Sequence, residues 1–257
     1  MISKIMKERF RTEEKHMVTY TVFTDKGGRE VNEDTACVYE KDGQKCLILC
    51  DGLGGHGRGE VASALVVKMF GGIFKNTQTI DDKFLDNAFN AAQDALLGEQ
   101  CRQNAKTEMK TTAVAMYIYG NRVQWGHVGD SRLYAFSRNK VKLRTLDHSV
   151  PQMLVLARDI KEKQIRNHPD RNRLLRVMGI EWDKPMYELS EPKKLEDYQA
   201  FLLCSDGFWE LIDEKQMGKL LKSSSTVEEW MQSMVEVVRK NGAGRNMDNY
   251  TAIALWS

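Results

Sequence analysis

Proline is scarce in this 257-residue chain, and its four copies, Pro151, Pro169, Pro185 and Pro192, all fall between residues 151 and 192. The rest of the chain is free of the residue that breaks helices and central strands, so regular structure is expected on both sides of one irregular, charged segment. That segment reads as a surface flap. Cysteine is sparse too. The five residues Cys37, Cys46, Cys50, Cys101 and Cys204 form no Cys-x-x-Cys pair, and three lie in strand-like apolar runs, so buried reduced thiols are expected rather than a disulfide framework.

Long apolar runs are also missing. None approaches the roughly 18 residues that would span a bilayer, and the opening MISKIMKERFRTEEKH is too charged for the core of a secretory signal. A cytoplasmic, monomeric protein without a membrane partner is expected. Lysine and arginine number 38 against 36 acids, with no long basic block and no basic stripe interleaved with aromatics, so nucleic acid is not implied. At 42% hydrophobic and 29% charged residues the composition is that of a globular chain, with disorder expected only at the ends. Residues 1–16 read as a tail, and 17–257 as a single domain.

Within that domain, Val18 to Phe23 and Thr35 to Tyr39 read as strands, and Asp42-Gly43 as the turn of a hairpin whose second strand runs into Asp51. Helical spacing covers residues 59–74 and 83–97. Thr112–Tyr119, Arg122–Val128, Arg132–Phe136 and Val141–Leu143 continue the strands, joined later by Ala200–Cys204 and Thr251–Trp256. Two late helices begin near Asp213 and Thr226, the second with a Thr226 to Glu229 capping box. Strands linked by hairpins, with helices in blocks, predict antiparallel sheets with helices packed outside, an α+β fold.

Two apolar strand runs end alike, Cys46 to Cys50 in Asp51-Gly52 and Phe201 to Ser205 in Asp206-Gly207. Each puts a carboxylate where a strand leaves the core. Glu33 and Asp34 precede another strand, with Arg29 upstream, and Asp248 precedes the last one. Acids at four sequence-distant strand ends would repel one another unless cations neutralised them. None of the five histidines has a paired ligand spacing, so an all-oxygen set for Mg²⁺ or Mn²⁺ is expected rather than zinc.

These residues resemble the PP2C family of metal-dependent protein serine/threonine phosphatases, in particular its bacterial type. The resemblance is carried by Arg29-x-x-Asn32-Glu33-Asp34, Asp51-Gly52-Leu53-Gly54-Gly55-His56, Gly59 to Ser63, Thr111-Thr112-Ala113, Val128 to Arg132, Asp147-His148-Ser149, Asn167-His168-Pro169, Cys204 to Gly207 and Asp248 to Thr251. It implies a four-layer α/β/β/α sandwich and hydrolysis of phosphoserine and phosphothreonine by a water bridging two Mn²⁺ or Mg²⁺ ions. Asp51 would bridge the ions, Glu33 and the Gly52 carbonyl would serve one, and Asp206 and Asp248 the other. Asp34 would hold metal-bound water, Asp130 would help bind a third, weaker ion, and Arg29 would clamp the phosphate. Phosphorylated proteins made by a serine/threonine kinase would be the partners.

Departures from the pattern are Leu53, where many eukaryotic members have a histidine proposed as general acid, Glu210 in place of a shorter acid, and Lys110 in place of a glycine. His56 reads as structural at a helix entrance, and the flap arginines Arg158, Arg166, Arg171, Arg173 and Arg176 as solvated charge or as guides for phosphopeptides. Two rival functions stand beside this one. A non-catalytic phosphoprotein-binding relative would keep the fold without turnover. A dinucleotide site would use the Gly52 to Gly57 run, which spells GxGxxG, although Asp51 beside a pyrophosphate opposes it.

Overall fold

The computed structural model describes residues 18–53, 58–77, 81–106 and 108–257. The expected tail and His56 lie outside them. Two antiparallel sheets stack face to face. One has the order β1 (Thr19–Asp25), β12 (Tyr250–Trp256), β11 (Ala200–Cys204), β7 (Arg132–Ser137), β8 (Lys140–Arg144). The other runs β10 (Lys193–Lys194), β6 (Arg122–Val128), β5 (Ala113–Tyr119), β3 (Gln44–Leu53), β2 (Asp34–Lys41), with β4 (Lys110–Thr111) on β3 and β9 (Glu188–Leu189) on β6.

Strand parity builds the layers. In β3, Cys46, Ile48 and Cys50 face α1 (Gly59–Asn76) and α2 (Phe84–Gln103), whereas Leu47 and Leu49 face the opposite sheet. In β11, Leu202 and Cys204 face α5 (Glu214–Ser223) and α6 (Val227–Gly242), whereas Phe201 and Leu203 meet β3 and β5 in the inter-sheet layer. Both strands are buried on both faces, which is why they read as continuous apolar runs rather than alternating ones. The result is the expected four-layer sandwich.

Local signals act where the sequence places them. Asp42 and Gly43 both have positive φ, the pair of conformations that a tight hairpin turn needs. Thr226 caps α6 by accepting from the Glu229 N–H at 3.1 Å, but the Glu229 carboxylate accepts from Ser225 N–H at 2.7 Å, so the expected reciprocal box is displaced by one residue. The flap is more regular than expected: α3 (Val150–Leu156) starts on a Ser149 cap with Pro151 in its first turn, and a 3₁₀ helix spans Glu162–Asn167. β3 has antiparallel partners on both sides, so the GxGxxG run does not open the parallel βαβ unit that a dinucleotide site uses. Among the described residues no helix is long and apolar enough to cross a membrane.

Candidate functional site

The parity that buries Leu47 and Leu49 between the sheets also sends Asp51 toward that layer, at its end. Asp34 shares a face with Ala36 and Val38 of the same layer and stands directly opposite Asp51 in the β2–β3 register. Asp206 opens α4 (Asp206–Trp209) just beyond β11, Asp248 lies just before β12, and Asp130 sits in the turn between β6 and β7. Glu33, Asp51, Gly52, Asp130, Asp206, Asp248 and Arg29 line one cavity of about 370 Å³, together with Leu53 and the flap residues Asn172 and Leu174. Asp34 is buried behind it. Every site residue expected from the sequence is therefore gathered at one mouth of the sandwich.

Backbone and hydroxyl groups hold the acids in place. Asp51 N–H donates to Thr112 Oγ1 at 3.1 Å, and Asp51 O accepts from Thr111 Oγ1 at 2.8 Å and from Thr112 N–H at 2.9 Å. Ser205 Oγ donates to Asp34 Oδ2 at 2.8 Å while accepting from Thr251 N–H at 3.0 Å, linking the two sheets behind the cavity. Asn249 accepts from Glu33 N–H at 2.8 Å and donates to Lys26 O and Val31 O, which fastens the loop carrying Arg29 and Glu33 to the end of β12. Gly52 is squeezed between the Glu33 loop and the start of α1, where an added Cβ would collide with Gly59 O. Thr111, Thr112, Ser205 and Asn249 stand in the motif runs, but spacing alone assigned them no task. Asn172 carried no signal at all.

The electrostatics follow from burial. It is the largest cause of the upward shifts, raising Asp34 to about 7 and Asp206 to about 6, with neighbouring acids adding to both. Asp51 and Asp130 are pushed well above the carboxylate range, first by burial and then by nearby carboxylates: Asp34 and Asp206 on Asp51, Asp206 and Asp147 on Asp130. Glu33 rises for the same reason, beside Glu60. The cations bonded to this group stay at its rim. Arg29 donates to Asp248 Oδ2 at 2.8 Å with both side chains 40–49% exposed, and the flap's Arg171 pairs with Glu210 at 3.1 Å; Glu210, largely desolvated, is itself pushed up to about 7. Asp34 Oδ1 is buried with no hydrogen-bond partner. An all-oxygen set, mutually repelling and with an orphaned carboxylate oxygen beside it, fits hard divalent cations.

A second group of ligand types, His127, His148 and Glu188, has potential ligand atoms within 4.8 Å of one another. Its hydrogen bonds argue against a metal. His148 Nδ1 accepts from Gly129 N–H at 3.2 Å, so the proton of the neutral ring sits on Nε2, 3.2 Å from Glu188 Oε1, and neither nitrogen has a lone pair to offer. Burial first, then the adjacent His127, push His148 down to about 4 and keep the ring neutral. This histidine braces the Gly129–Asp130 turn, since its own N–H also donates to Gly129 O at 2.9 Å.

Comparison with known proteins bears on the family and the fold. A family model described as protein phosphatase 2C matches residues 27–250. The serine/threonine phosphatase stp of Listeria welshimeri is 32% identical over 90% of this chain and 92% of its own length. The crystal structure of the serine/threonine phosphatase Stp1 from Staphylococcus aureus superposes with a TM-score of 0.84 at 29% identity, covering 94% of this chain and 95% of that one. The catalytic domain of the serine/threonine phosphatase PstP, solved with two manganese ions, does so with a TM-score of 0.76 at 26% identity, covering 93% and 97%. A family match across most of the chain, the same sandwich and a mouth lined with acids lead to one conclusion: the chain belongs to the protein phosphatase 2C family, and it is a phosphatase.

Proposed function

We propose that this chain removes phosphate from phosphoserine and phosphothreonine in proteins, using Mn²⁺ or Mg²⁺ held by Glu33, Asp51, the Gly52 carbonyl, Asp206 and Asp248, with a third, weaker ion near Asp130. The observation that carries this reading is the convergence of acids from the ends of β2, β3, β11 and β12 on one cavity whose paired cations, among the described residues, lie at the rim. Bound divalent ions would supply a water acidic enough to attack phosphorus at neutral pH and would offset charge on the phosphoryl oxygens.

The chain's own residues supply the rest. Asp34, held by Ser205 through one oxygen and left with Oδ1 unpartnered, would hold metal-bound water. Arg29, exposed on the loop pinned by Asn249, offers a planar fork to a phosphate edge. Asn172 and Leu174 bring the flap to the cavity wall, where they would meet the protein part of the substrate. Leu53 lines the cavity without a titratable group, so proton donation to the leaving oxygen is not assigned to that position. Residues 17–257 act as one catalytic domain, supported by an inter-sheet core that draws on strands from β2 to β12. A cytoplasmic monomer acting on the products of a serine/threonine kinase completes the proposal.

A phosphothreonine peptide tests it. Hydrolysis should require Mn²⁺ or Mg²⁺ and stop on chelation, and Asp206→Asn should lower kcat/KM at least about 100-fold, since even outer-shell partners of metal ligands cost 10–100-fold. Turnover that survives chelation would contradict the metal reading, and no turnover under any condition would favour the phosphoprotein-binding alternative. Arg29→Ala should raise KM more than it lowers kcat, because the fork grips substrate and transition state alike; an unchanged KM removes the clamp.

The raised carboxylates give a sign to the pH dependence. Asp34 has a folded-state pKa of about 7 against about 4 when unfolded, so the metal-free folded state binds more protons between those values and loses stability as pH rises through them. Asp34→Asn should therefore raise the Tm of metal-free protein at pH 8 and do so by roughly half as much at pH 5.5. A Tm gain equal at both pH values would show that Asp34 carries no such penalty.

A further inference from the structure

The four-residue α4 begins with the cavity acid Asp206 and ends with Trp209, which is 2% exposed. The indole N–H donates to the backbone oxygen of Asp130 at 3.0 Å, so one side chain ties the turn carrying Asp130 to the helix carrying Asp206. That turn needs an outside hold, because Gly129 before it has φ +102°, a conformation with little intrinsic preference to persist.

The ring is itself held by charge. The Arg132 guanidinium lies 3.4 Å from its centroid, 1% exposed and locked by a fork onto Asp147 at 2.8 and 2.6 Å and by a bond to Tyr134 Oη at 2.9 Å. The guanidinium of Arg166, from the flap, lies 5.5 Å away and donates to Ile212 O at 3.0 Å and Glu214 Oε1 at 2.9 Å. Filling this space would take only an aromatic ring. The N–H bond to Asp130 is the added element, and it acts on the peptide of an acid that faces the cavity.

We propose that Trp209 is a positioning residue: its N–H holds the Asp130 peptide against the Asp206 helix so that the two carboxylates can share one divalent cation, and Arg166 steadies the ring from the flap. This rests on the metal reading of the cavity. The flap would thereby influence cation affinity without touching the cation.

Titration of the metal-free protein with Mn²⁺, following free Mn²⁺ by electron paramagnetic resonance, tests the idea. Trp209→Phe should weaken the weakest binding step about 10–100-fold, the range for partners of metal ligands, and leave the tighter steps unchanged. Added to Asp130→Asn it should weaken that step no further, because both act through one group. Wild-type affinity at every step in Trp209→Phe, or a loss that adds in full to that of Asp130→Asn, overturns the proposal. Should Trp209→Phe not fold, Arg166→Gln at its partly exposed position carries the test: a weakened last step supports the proposal and an unchanged one overturns it. A wild-type chain that binds no Mn²⁺ refutes the metal reading itself.

Discussion

Repulsion among carboxylates that rigid strands force together is the constraint on which the rest of this structure depends. Asp34 and Asp51 are register partners on adjacent strands, and their side chains follow the same alternation that buries Leu47, Leu49, Ala36 and Val38 between the sheets. Neither can turn away without moving apolar residues out of the inter-sheet core. Asp206, Asp248 and Asp130 arrive from the other sheet and its connections. Charge that the fold cannot disperse has to be met by protons or by cations, and among the described residues the rim arginines pair with Asp248 and Glu210.

The surrounding hydrogen bonds make sense in that light. Thr111 and Thr112 bond to the backbone of Asp51, Asn249 to that of Glu33, and Ser205 to one oxygen of Asp34, whose other oxygen is left unpartnered. The acids are thus oriented before any ligand arrives, by groups that bring no opposite charge to them. Such preorganisation lowers the cost of assembling a charged site at the moment of reaction, and it makes the empty site a source of instability. The flap joins the same construction at two levels, lining the cavity through Asn172 and Leu174 and bracing Trp209 through Arg166.

Much of this was legible in the sequence because burial on both faces leaves an unbroken apolar run and makes an acid at its end conspicuous. Asp51 and Asp206 were visible that way, and all the expected strands from β1 to β12 appear with boundaries shifted by a residue or two. The twin Asp-Gly ends proved unequal: β3 continues through Gly52 and Leu53 to pair with β4, whereas Asp206-Gly207 turns at once into α4. That helix, at four residues, is shorter than any periodic signal, so Trp209 gave no sign of reaching Asp130. The roles of Gly52, Asp130 and Arg29 came from family resemblance, since a carbonyl ligand or a rim guanidinium leaves no pattern in spacing. Asn172 sits in a segment without periodicity, and only the fold of the flap brings it to the cavity.

Protons that occupy these acids in the metal-free chain should give way to divalent cations. Calorimetric titration of metal-free protein with Mn²⁺ near pH 6.5, repeated in buffers of different ionisation enthalpy, measures that exchange directly. Tight binding of two ions is expected, with net release of about one proton or more per chain, because burial raises Asp34 to about 7 and Asp206 to about 6 before metal arrives. Binding whose heat does not depend on the buffer, or no binding at all, would contradict it.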